Sequence, residues 1–224
     1  MQLSVVLPVL NEADTITTTL AHLRRPEVEV IVADGGSSDD TVARAQPLCD
    51  RIVAAPRGRA LQMNAGAAAA HGDVLLFLHA DTRLPDNALT AITDAVGAGA
   101  VWGRFDVRIE GQHPLLGLIA RMMNLRSRLT GIATGDQAIF CSRALFDALG
   151  GYAPIALMED IDFSRRARAR FAPSCLRARV TTSGRRWEKH GVLRTVLLMW
   201  RLRLRYFFGA DPQVLALAYR PHHE

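Results

Sequence analysis

The sequence predicts an α/β protein with a mostly parallel central sheet, helices on both faces and a C-terminal helical segment. Short apolar runs such as Val74 to Leu78 alternate with segments of helical pattern. An unbroken apolar run of this length is typical of a strand buried on both faces. His79, Ala80 and Asp81 follow the run directly. Ligands of open α/β sheets bind beyond the carboxyl ends of the strands, so we expect a ligand-binding site at the edge of the sheet where this strand ends.

Composition and charge narrow the class of protein. The chain has 224 residues, 49% of them hydrophobic, which is ample for a packed core. Residues 1–100 carry seven arginines and twelve acidic residues, whereas residues 101–224 carry twenty basic and ten acidic ones. The second half is therefore expected to face an anionic partner, such as a membrane surface or a phosphate-bearing substrate. Nucleic acid is not expected, because the arginines are dispersed along apolar helices with few aromatic residues between them.

Cysteine usage and the N-terminus indicate a cytoplasmic location. Cys49, Cys141 and Cys175 are odd in number and far apart, as is typical of reduced thiols. The N-terminal segment lacks the basic region of a signal peptide, and no apolar run is long enough to span a bilayer. We expect a cytoplasmic protein, peripheral at the inner face of the cytoplasmic membrane if its basic half binds lipid.

The first half of the chain alternates strand and helix. Strands are predicted at Leu3 to Val9, Val28 to Ala33, Arg51 to Ala54 and Val74 to Leu78. Helices are predicted from Glu12 to Arg24, from Ser37 or Ser38 to Pro47, and from Arg57 to Ala70. Asn11 is a good N-cap for the first helix, with Asp14 at capping-box spacing. Right-handed crossovers then place Asp34 and Asp81, which both follow strand ends, on one edge of the sheet.

An arginine-flanked helix start adds an anion site to this edge. Arg57 and Arg59 surround Gly58, directly before the third helix. Free N–H groups and the dipole make a helix N-terminus attractive to phosphate, although two solvated arginines would give the same pattern. Together with two acids on the same edge, this indicates a nucleoside diphosphate bound with a divalent metal. The glycine fingerprints of dinucleotide-binding folds and P-loops are absent.

The second half contains more helix. Helices are predicted at Pro85 to Val96, Leu115 to Leu129, after Ser142, from about Met158 and at Val192 to Phe208, with strands at Ala100 to Ile109 and Leu176 to Thr182. In the last helix, Arg194, Arg201 and Arg205 share one face and Arg203 lies opposite. Such a helix either lies on an anionic membrane or packs against the domain with its arginine stems. We expect one domain over 1–185, with a nucleotide half (1–100) and an acceptor and catalytic half (101–185), and a helical extension over 186–224.

Six motifs in order resemble the family 2 inverting glycosyltransferases, which have the GT-A fold. They are Val5 to Glu12, Asp34 to Thr41, Arg57 to Gly66, His79 to Asp81, Gly135 to Gln137 and Glu159 to Asp160. The resemblance covers roughly residues 3–165. The forms of the third and fourth motifs resemble a compact bacterial subgroup associated with radical-SAM gene clusters.

The resemblance implies a role for each matching residue. The nucleotide would contact Pro8, Asn11, Glu12, Asp34, Gly36, Arg57, Arg59, Gln62 and Ala80. Asp81 would bind Mn²⁺ or Mg²⁺, which suits a hard ion between carboxylate and phosphate oxygens. Asp160 would be the general base that deprotonates the acceptor hydroxyl, with its neighbour Glu159 as the alternative. Gly135, Asp136, Gln137 and Trp102 are the candidates for contacts with the donor or acceptor sugar.

The sequence departs from the family pattern at His79, which replaces the first acid of the Asp-x-Asp motif. His79 would bind metal or ribose, or be structural, and His190 is a further candidate ligand. The implied reaction moves a sugar from a nucleotide-sugar donor, with uracil as the usual base, to a glycan, lipid or peptide acceptor. The alternative is a non-catalytic nucleotide-binding or membrane-docking protein with the same fold. A sugar-nucleotide pyrophosphorylase would need a glycine-rich loop after the first strand, which Pro8 to Glu12 lacks.

Overall fold

A single eight-stranded sheet forms the centre of the computed structural model, which describes residues 1–219 apart from the side chain of Arg186. The strands are β1 (Leu3–Val9), β2 (Val28–Asp34), β3 (Arg51–Ala54), β4 (Val74–Phe77), β5 (Thr82–Arg83), β6 (Trp102–Glu110), β7 (Ile139–Ser142) and β8 (Ser174–Ser183). Residues 220–224, the last part of the predicted extension over 186–224, lie outside the described residues.

Helices surround the sheet and continue beyond it. They are α1 (Ile16–Leu23), α2 (Thr41–Ala45), α3 (Arg59–Ala69), α4 (Ala88–Gly97), α5 (Leu116–Thr130), α6 (Arg143–Ala148), α7 (Glu159–Arg168), α8 (Arg185–His190), α9 (Val192–Phe207) and α10 (Pro212–Tyr219). Short 3-10 turns cover Gln46–Leu48 and Gly135–Gln137. Within residues 1–219, every helix is too short or too polar to cross a bilayer.

The sheet is mostly parallel, as predicted, and its strand order is β3-β2-β1-β4-β7-β6-β8-β5. Strands β3, β2, β1 and β4 run parallel, so their carboxyl ends meet at one edge. Strand β7 runs antiparallel between β4 and β6, and β5 runs antiparallel to β8. The antiparallel insertion brings the turn before β7 to the edge that the first four strands define.

Both faces of the sheet are buried, which explains the unbroken apolar runs. Successive side chains of a strand point to opposite faces, and in β1 Val5 and Val6 belong to different core clusters. One cluster packs under α1, α4 and α5, and the other under α3, α6 and α7. A third cluster joins Leu202 of α9 and Leu215 of α10 to Met158, beside the start of α7.

The first helix begins later than predicted, and Asn11 is the reason. Asn11 has a φ of +55°, a left-handed conformation in which it does not cap a helix. Its side-chain oxygen accepts a hydrogen bond from Ser38 N at 2.8 Å, so it joins two loops at the sheet edge. Helix α1 starts only at Ile16, with Thr15 as its N-cap. The predicted serine cap of α2 is wrong too, since Asp40 holds that position.

Gly103 in β6 gives a direct test of the packing. A Cβ atom there would overlap the backbone oxygen of Ser174 and lie 2.6 Å from the ring of Phe140. We expect Gly103→Ala to lower the free energy of unfolding by about 1–3 kcal/mol, as overpacking does in other cores. Gly97→Ala is the control, because open space surrounds that position. Denaturant unfolding measures both, and equal stability of the two variants would contradict this packing.

Candidate active site

A cleft of about 470 Å³ lies beyond the carboxyl ends of β1 and β4, where the fold predicts a ligand. Most of the predicted site residues line it: Pro8, Glu12, Arg59, His79, Ala80, Asp81, Gly135, Asp136, Glu159 and Asp160. The topology thus brings together residues that are up to 152 positions apart in the chain. The remaining predicted residues lie on a neighbouring loop or inside the protein.

Glu12 and Asp81 form the acidic wall of the cleft beside the sheet. Glu12 follows β1, and its carboxylate accepts a hydrogen bond from the Thr15 hydroxyl at 2.8 Å. Burial raises the pKa of Glu12 above its ordinary value, and the charge of Asp81 raises it further, against the hydrogen bond of Thr15. Two acids that repel each other at the mouth of a cleft favour a cation between or beside them.

Asp160 is held at the start of α7 by two backbone donors. Gly135 N donates to Asp160 Oδ2 at 2.9 Å, and Ile161 N donates to Oδ1 at 2.7 Å. Each carboxylate oxygen keeps a lone pair for a further donor. The first of these bonds ties the turn before β7 to α7. The carboxylate is therefore oriented toward the cleft before any ligand binds.

Glu159 is more deeply buried than Asp160 and pairs with Arg59. It is 3% exposed, and its Oε1 lies 3.6 Å from Arg59 Nη1. Burial raises the pKa of Glu159, Arg59 opposes the rise, and Asp160 adds to it. The Arg59 side chain is 41% exposed, so desolvation disfavours its charge only in part, and the surrounding carboxylates, Glu159 foremost, raise the pKa of its guanidinium. Arg59 thus stays a cation at the start of α3, where it faces the cleft.

His79 lies under the turn that carries Asp136. Its Nδ1 is 3.4 Å from Asp136 Oδ1. Its Nε2 is buried without a hydrogen-bond partner among the described residues, against Gly135, where a Cβ atom would collide with the ring. Only glycine fits at position 135 in this arrangement. The imidazole therefore positions the 135–137 turn, and it does not present Nε2 to the cleft.

A separate loop network carries four of the residues predicted to contact the nucleotide, which are Asn11, Asp34, Gly36 and Arg57. The Asp34 carboxylate accepts hydrogen bonds from Gly36 N at 3.0 Å and from Ser37 Oγ at 2.6 Å. Gly36 has a φ of +85°, a conformation that favours glycine. Ser37 Oγ in turn accepts from Asn11 N at 2.9 Å. Asn11, Asp34 and Gly36 thus form one rigid loop pair, and exposed Arg57 lies on the loop before α3.

Three predicted contact residues are buried elsewhere, which corrects their direct roles. Gln62 is 5% exposed, and its amide donates to Val9 O at 2.6 Å and Ala33 O at 2.9 Å, so it fastens β1 to β2. Gln137 is fully buried, and its side chain completes the capping box with Thr134. Trp102 is fully buried and donates from Nε1 to Phe171 O at 2.7 Å. All three shape the site without facing the cleft.

The far wall of the cleft is basic, and apart from His190 the sequence pattern did not assign its residues to the site. Arg185, Lys189 and His190 reach it from α8, and Arg203 from α9. Tyr219 of α10 also lines it. The clustering of basic residues over 185–190 was the available signal, but only the packing of α9 over α7 shows that this segment faces the acids. His190 thus lies in the same cleft as Asp81.

The acidic side chains of this cleft suit a divalent ion that a bound ligand also holds. No group of three potential ligands surrounds a common point among residues 1–219. Asp81 lines the cleft, and the Thr82 hydroxyl donates to its Oδ1 at 3.3 Å. Mg²⁺ and related ions are often held by one or two carboxylates together with substrate phosphates. The donor set therefore suits an ion that arrives with a diphosphate.

The buried carboxyl of Glu159 predicts a pH dependence of stability. Since the folded state raises its pKa above 4.5, the folded protein binds more protons than the unfolded chain just above that pH. The free energy of unfolding should then fall as pH rises through this window, by at most about 1.4 kcal/mol per pH unit. Glu159→Gln removes the group and should flatten the slope. Urea unfolding between pH 4 and 7 measures the difference; identical slopes would contradict the assigned burial.

The parallel sheet edge, the paired loops and the mixed acidic and basic cleft are features of an α/β fold with a ligand site beyond the strand ends. The family model described as glycosyl transferase family 2 matches residues 4–145. An uncharacterized glycosyltransferase of Mycobacterium tuberculosis is 32% identical, over 92% of this chain and 86% of that protein. The chain therefore belongs to glycosyl transferase family 2.

Solved structures of other proteins have the same fold. TarS 1-349 of S. aureus, in complex with UDP-GlcNAc, is 20% identical with a TM-score of 0.64, over 82% of this chain and 58% of that one. Glucosyl-3-phosphoglycerate synthase of Mycobacterium tuberculosis, in complex with Mn²⁺, UDP-glucose and phosphoglyceric acid, is 23% identical with a TM-score of 0.63, over 80% and 70%. The chain thus spans less than two thirds of the TarS segment. At these identities the likeness establishes the GT-A fold.

Proposed function

We propose that this glycosyltransferase moves a hexose from a UDP-sugar to an acceptor hydroxyl with inversion at the anomeric carbon. The observation that carries the proposal is the convergence of Asp81, Arg59 and Asp160 on one cleft at the carboxyl edge of the sheet. These residues supply a metal-binding acid, a fixed cation and a candidate base. The two complexes with UDP-sugars among structures of the same fold support the choice of donor.

Binding of the donor would use two regions of the edge. The loop pair of Asn11, Asp34 and Gly36 is a rigid shelf next to the cleft, where we place the base and ribose. The diphosphate would lie between Arg59, at the N-terminus of α3, and Asp81. A divalent ion, Mn²⁺ or Mg²⁺, held by Asp81 and the diphosphate would offset the charge that develops on the leaving group. Arg59 stabilises the same charge from the other side.

Transfer would need one base on the side of the acceptor. Asp160 has the required orientation, because two backbone donors fix its carboxylate while each oxygen can still accept the proton of a hydroxyl. Attack from the face opposite the diphosphate displaces it in one step and inverts the anomeric centre. Glu159, which is buried and paired with Arg59, is better suited to hold that arginine than to approach an acceptor. Gly135 and the exposed part of Asp136, which both line the cleft, are the remaining candidates for a sugar contact.

The acceptor is proposed only by class. Basic side chains of α8 and α9 line the wall opposite the acids, so an acceptor with anionic or polar groups would suit it. Glycans, lipids and peptides with such groups all remain candidates. The protein is proposed to act in the cytoplasm, at the surface of the membrane.

The experiment is a donor panel with UDP-glucose, UDP-galactose and UDP-N-acetylglucosamine, with Mn²⁺ and a detergent extract of bacterial membranes as the source of acceptors. Release of UDP is measured for wild type and for Asp160→Asn. With one of the donors, release of UDP should require both the membrane extract and Asp160. Proton NMR of the product should then show a β linkage, formed from the α-linked donor. If wild type released UDP no faster than Asp160→Asn with every donor, the proposal would be contradicted.

A further inference from the structure

Helix α9 presents a continuous apolar face to solvent. Its members recur at spacings of four and three residues, which places them on one side of a helix. They are Leu193, Leu197, Trp200, Leu204 and Phe207, and their exposed fractions run from 59% to 81%. Within the described part of the chain, no element covers this face. Isolated exposed apolar residues are ordinary, but an unbroken row over four turns marks a contact surface.

The other sides of α9 either pack against the domain or line the cleft. Leu202, which is 1% exposed, joins the cluster around Met158 and so fixes the helix on α7. Thr195, Met199 and Arg203 line the cleft. The apolar row therefore lies on the outside of a helix whose inner side forms a wall of the candidate active site.

A row of arginines runs along one edge of the apolar face. Arg194 and Arg201 are exposed, and Arg205, half-buried, continues their line at helical spacing. The segment from Val192 to Phe207 contains four arginines and no acidic residue. Apolar and aromatic side chains beside a row of cations are the pattern of a helix that lies in the interface of an anionic bilayer. Tryptophan, here Trp200, favours that depth.

We propose that the outer face of α9 docks on an anionic membrane surface, with its apolar row in the headgroup region and its arginines on lipid phosphates. Contact between two copies would bring like charges together without ion pairs, whereas anionic headgroups complement them. Resting on the glycosyltransferase function proposed above, the docking places the cleft, which the same helix lines, beside the bilayer, where a membrane-borne acceptor would be reached.

Flotation of the whole protein with vesicles tests this surface. Vesicles of equal phosphatidylglycerol and phosphatidylcholine should carry wild type upward, and vesicles of phosphatidylcholine alone should carry much less. Leu197→Glu with Trp200→Glu should weaken binding about tenfold or more, because both side chains leave the apolar interface. Replacing Arg194 and Arg201 by glutamine should weaken binding to the anionic vesicles by about fivefold per arginine.

A charge-matched variant serves as the control. Thr17→Glu with Thr18→Glu adds the same two charges at exposed positions of α1 and should float like wild type. Thermal unfolding and UDP binding of each variant show that the fold and donor site are intact. Wild type that stays at the bottom with anionic vesicles would overturn the proposal. The proposal would also be overturned if light scattering showed that wild type is a dimer and that the variant with Leu197→Glu and Trp200→Glu is a monomer. Neither result would bear on UDP release, which tests the proposed function separately.

Discussion

Asp160→Asn is expected to lower kcat by about 10²–10⁴-fold while leaving the affinity for UDP unchanged. Asparagine keeps the shape of the side chain, and its oxygen can still accept one backbone hydrogen bond, but it cannot take a proton from an acceptor hydroxyl. The loss should therefore appear in kcat and hardly in donor binding. Initial rates of UDP release, together with calorimetric titration of UDP, separate the two effects.

Two further variants make this experiment decisive. Asp147→Asn removes the same charge from an exposed position of α6 and should behave as wild type. Glu159→Gln tests the alternative base, and we expect a smaller loss of kcat, because Glu159 is buried against Arg59. If Asp160→Asn keeps kcat within about threefold of wild type while Glu159→Gln loses it, the roles of these two acids are reversed.

Asp81→Asn is expected to have the second large effect, on the part of donor binding that depends on metal. Mn²⁺ should tighten binding of UDP to wild type and should add nothing to binding by the variant, since Asp81 is the acid proposed to hold the ion. The kcat/KM for the donor should fall by about a thousandfold, because a metal ion supplies several kcal/mol of charge stabilisation in such transition states. Titrations of UDP with and without Mn²⁺ measure the first effect.

A neighbouring acid gives the matched control for Asp81. Asp86 is exposed a few residues further along the chain, and Asp86→Asn makes the same change of charge. It should leave both the Mn²⁺ effect and kcat/KM unchanged. If Mn²⁺ tightened UDP binding by Asp81→Asn as much as by wild type, the ion would not be held by Asp81. The next residues to replace would be Glu12 and His190, which line the same cleft.

The sequence predicted the buried strands well because burial on both faces leaves an unbroken apolar run. Leu3–Val9 was predicted to the residue, and the predicted run from Val74 ends one residue later than the strand. The antiparallel place of β7 was not predicted, since strand order depends on contacts between distant segments. Strand β5 is two residues long, too short for any periodicity to reveal it.

The sequence predicted which residues line the cleft better than it predicted where their side chains point. Motif order identified Asp81, Arg59 and Asp160, and the topology brings them to one cleft. A sequence pattern does not show whether a glutamine amide binds a ligand or the protein backbone. In the structure, the side chains of both Gln62 and Gln137 form hydrogen bonds with backbone groups inside the protein. The basic wall of α8 and α9 was not assigned to the cleft, because its position depends on how α9 packs over α7.

The most direct test of the central claim is a thermal-unfolding panel with UDP, GDP, dTDP and CMP, each with and without Mn²⁺, on wild type and Asp81→Asn. A ligand that binds only the folded protein raises its melting temperature by mass action. We expect UDP with Mn²⁺ to raise the Tm of wild type most, and the variant to lose the part that depends on Mn²⁺. No shift with UDP at millimolar concentration, or a larger shift with another nucleotide, would contradict a UDP-sugar donor.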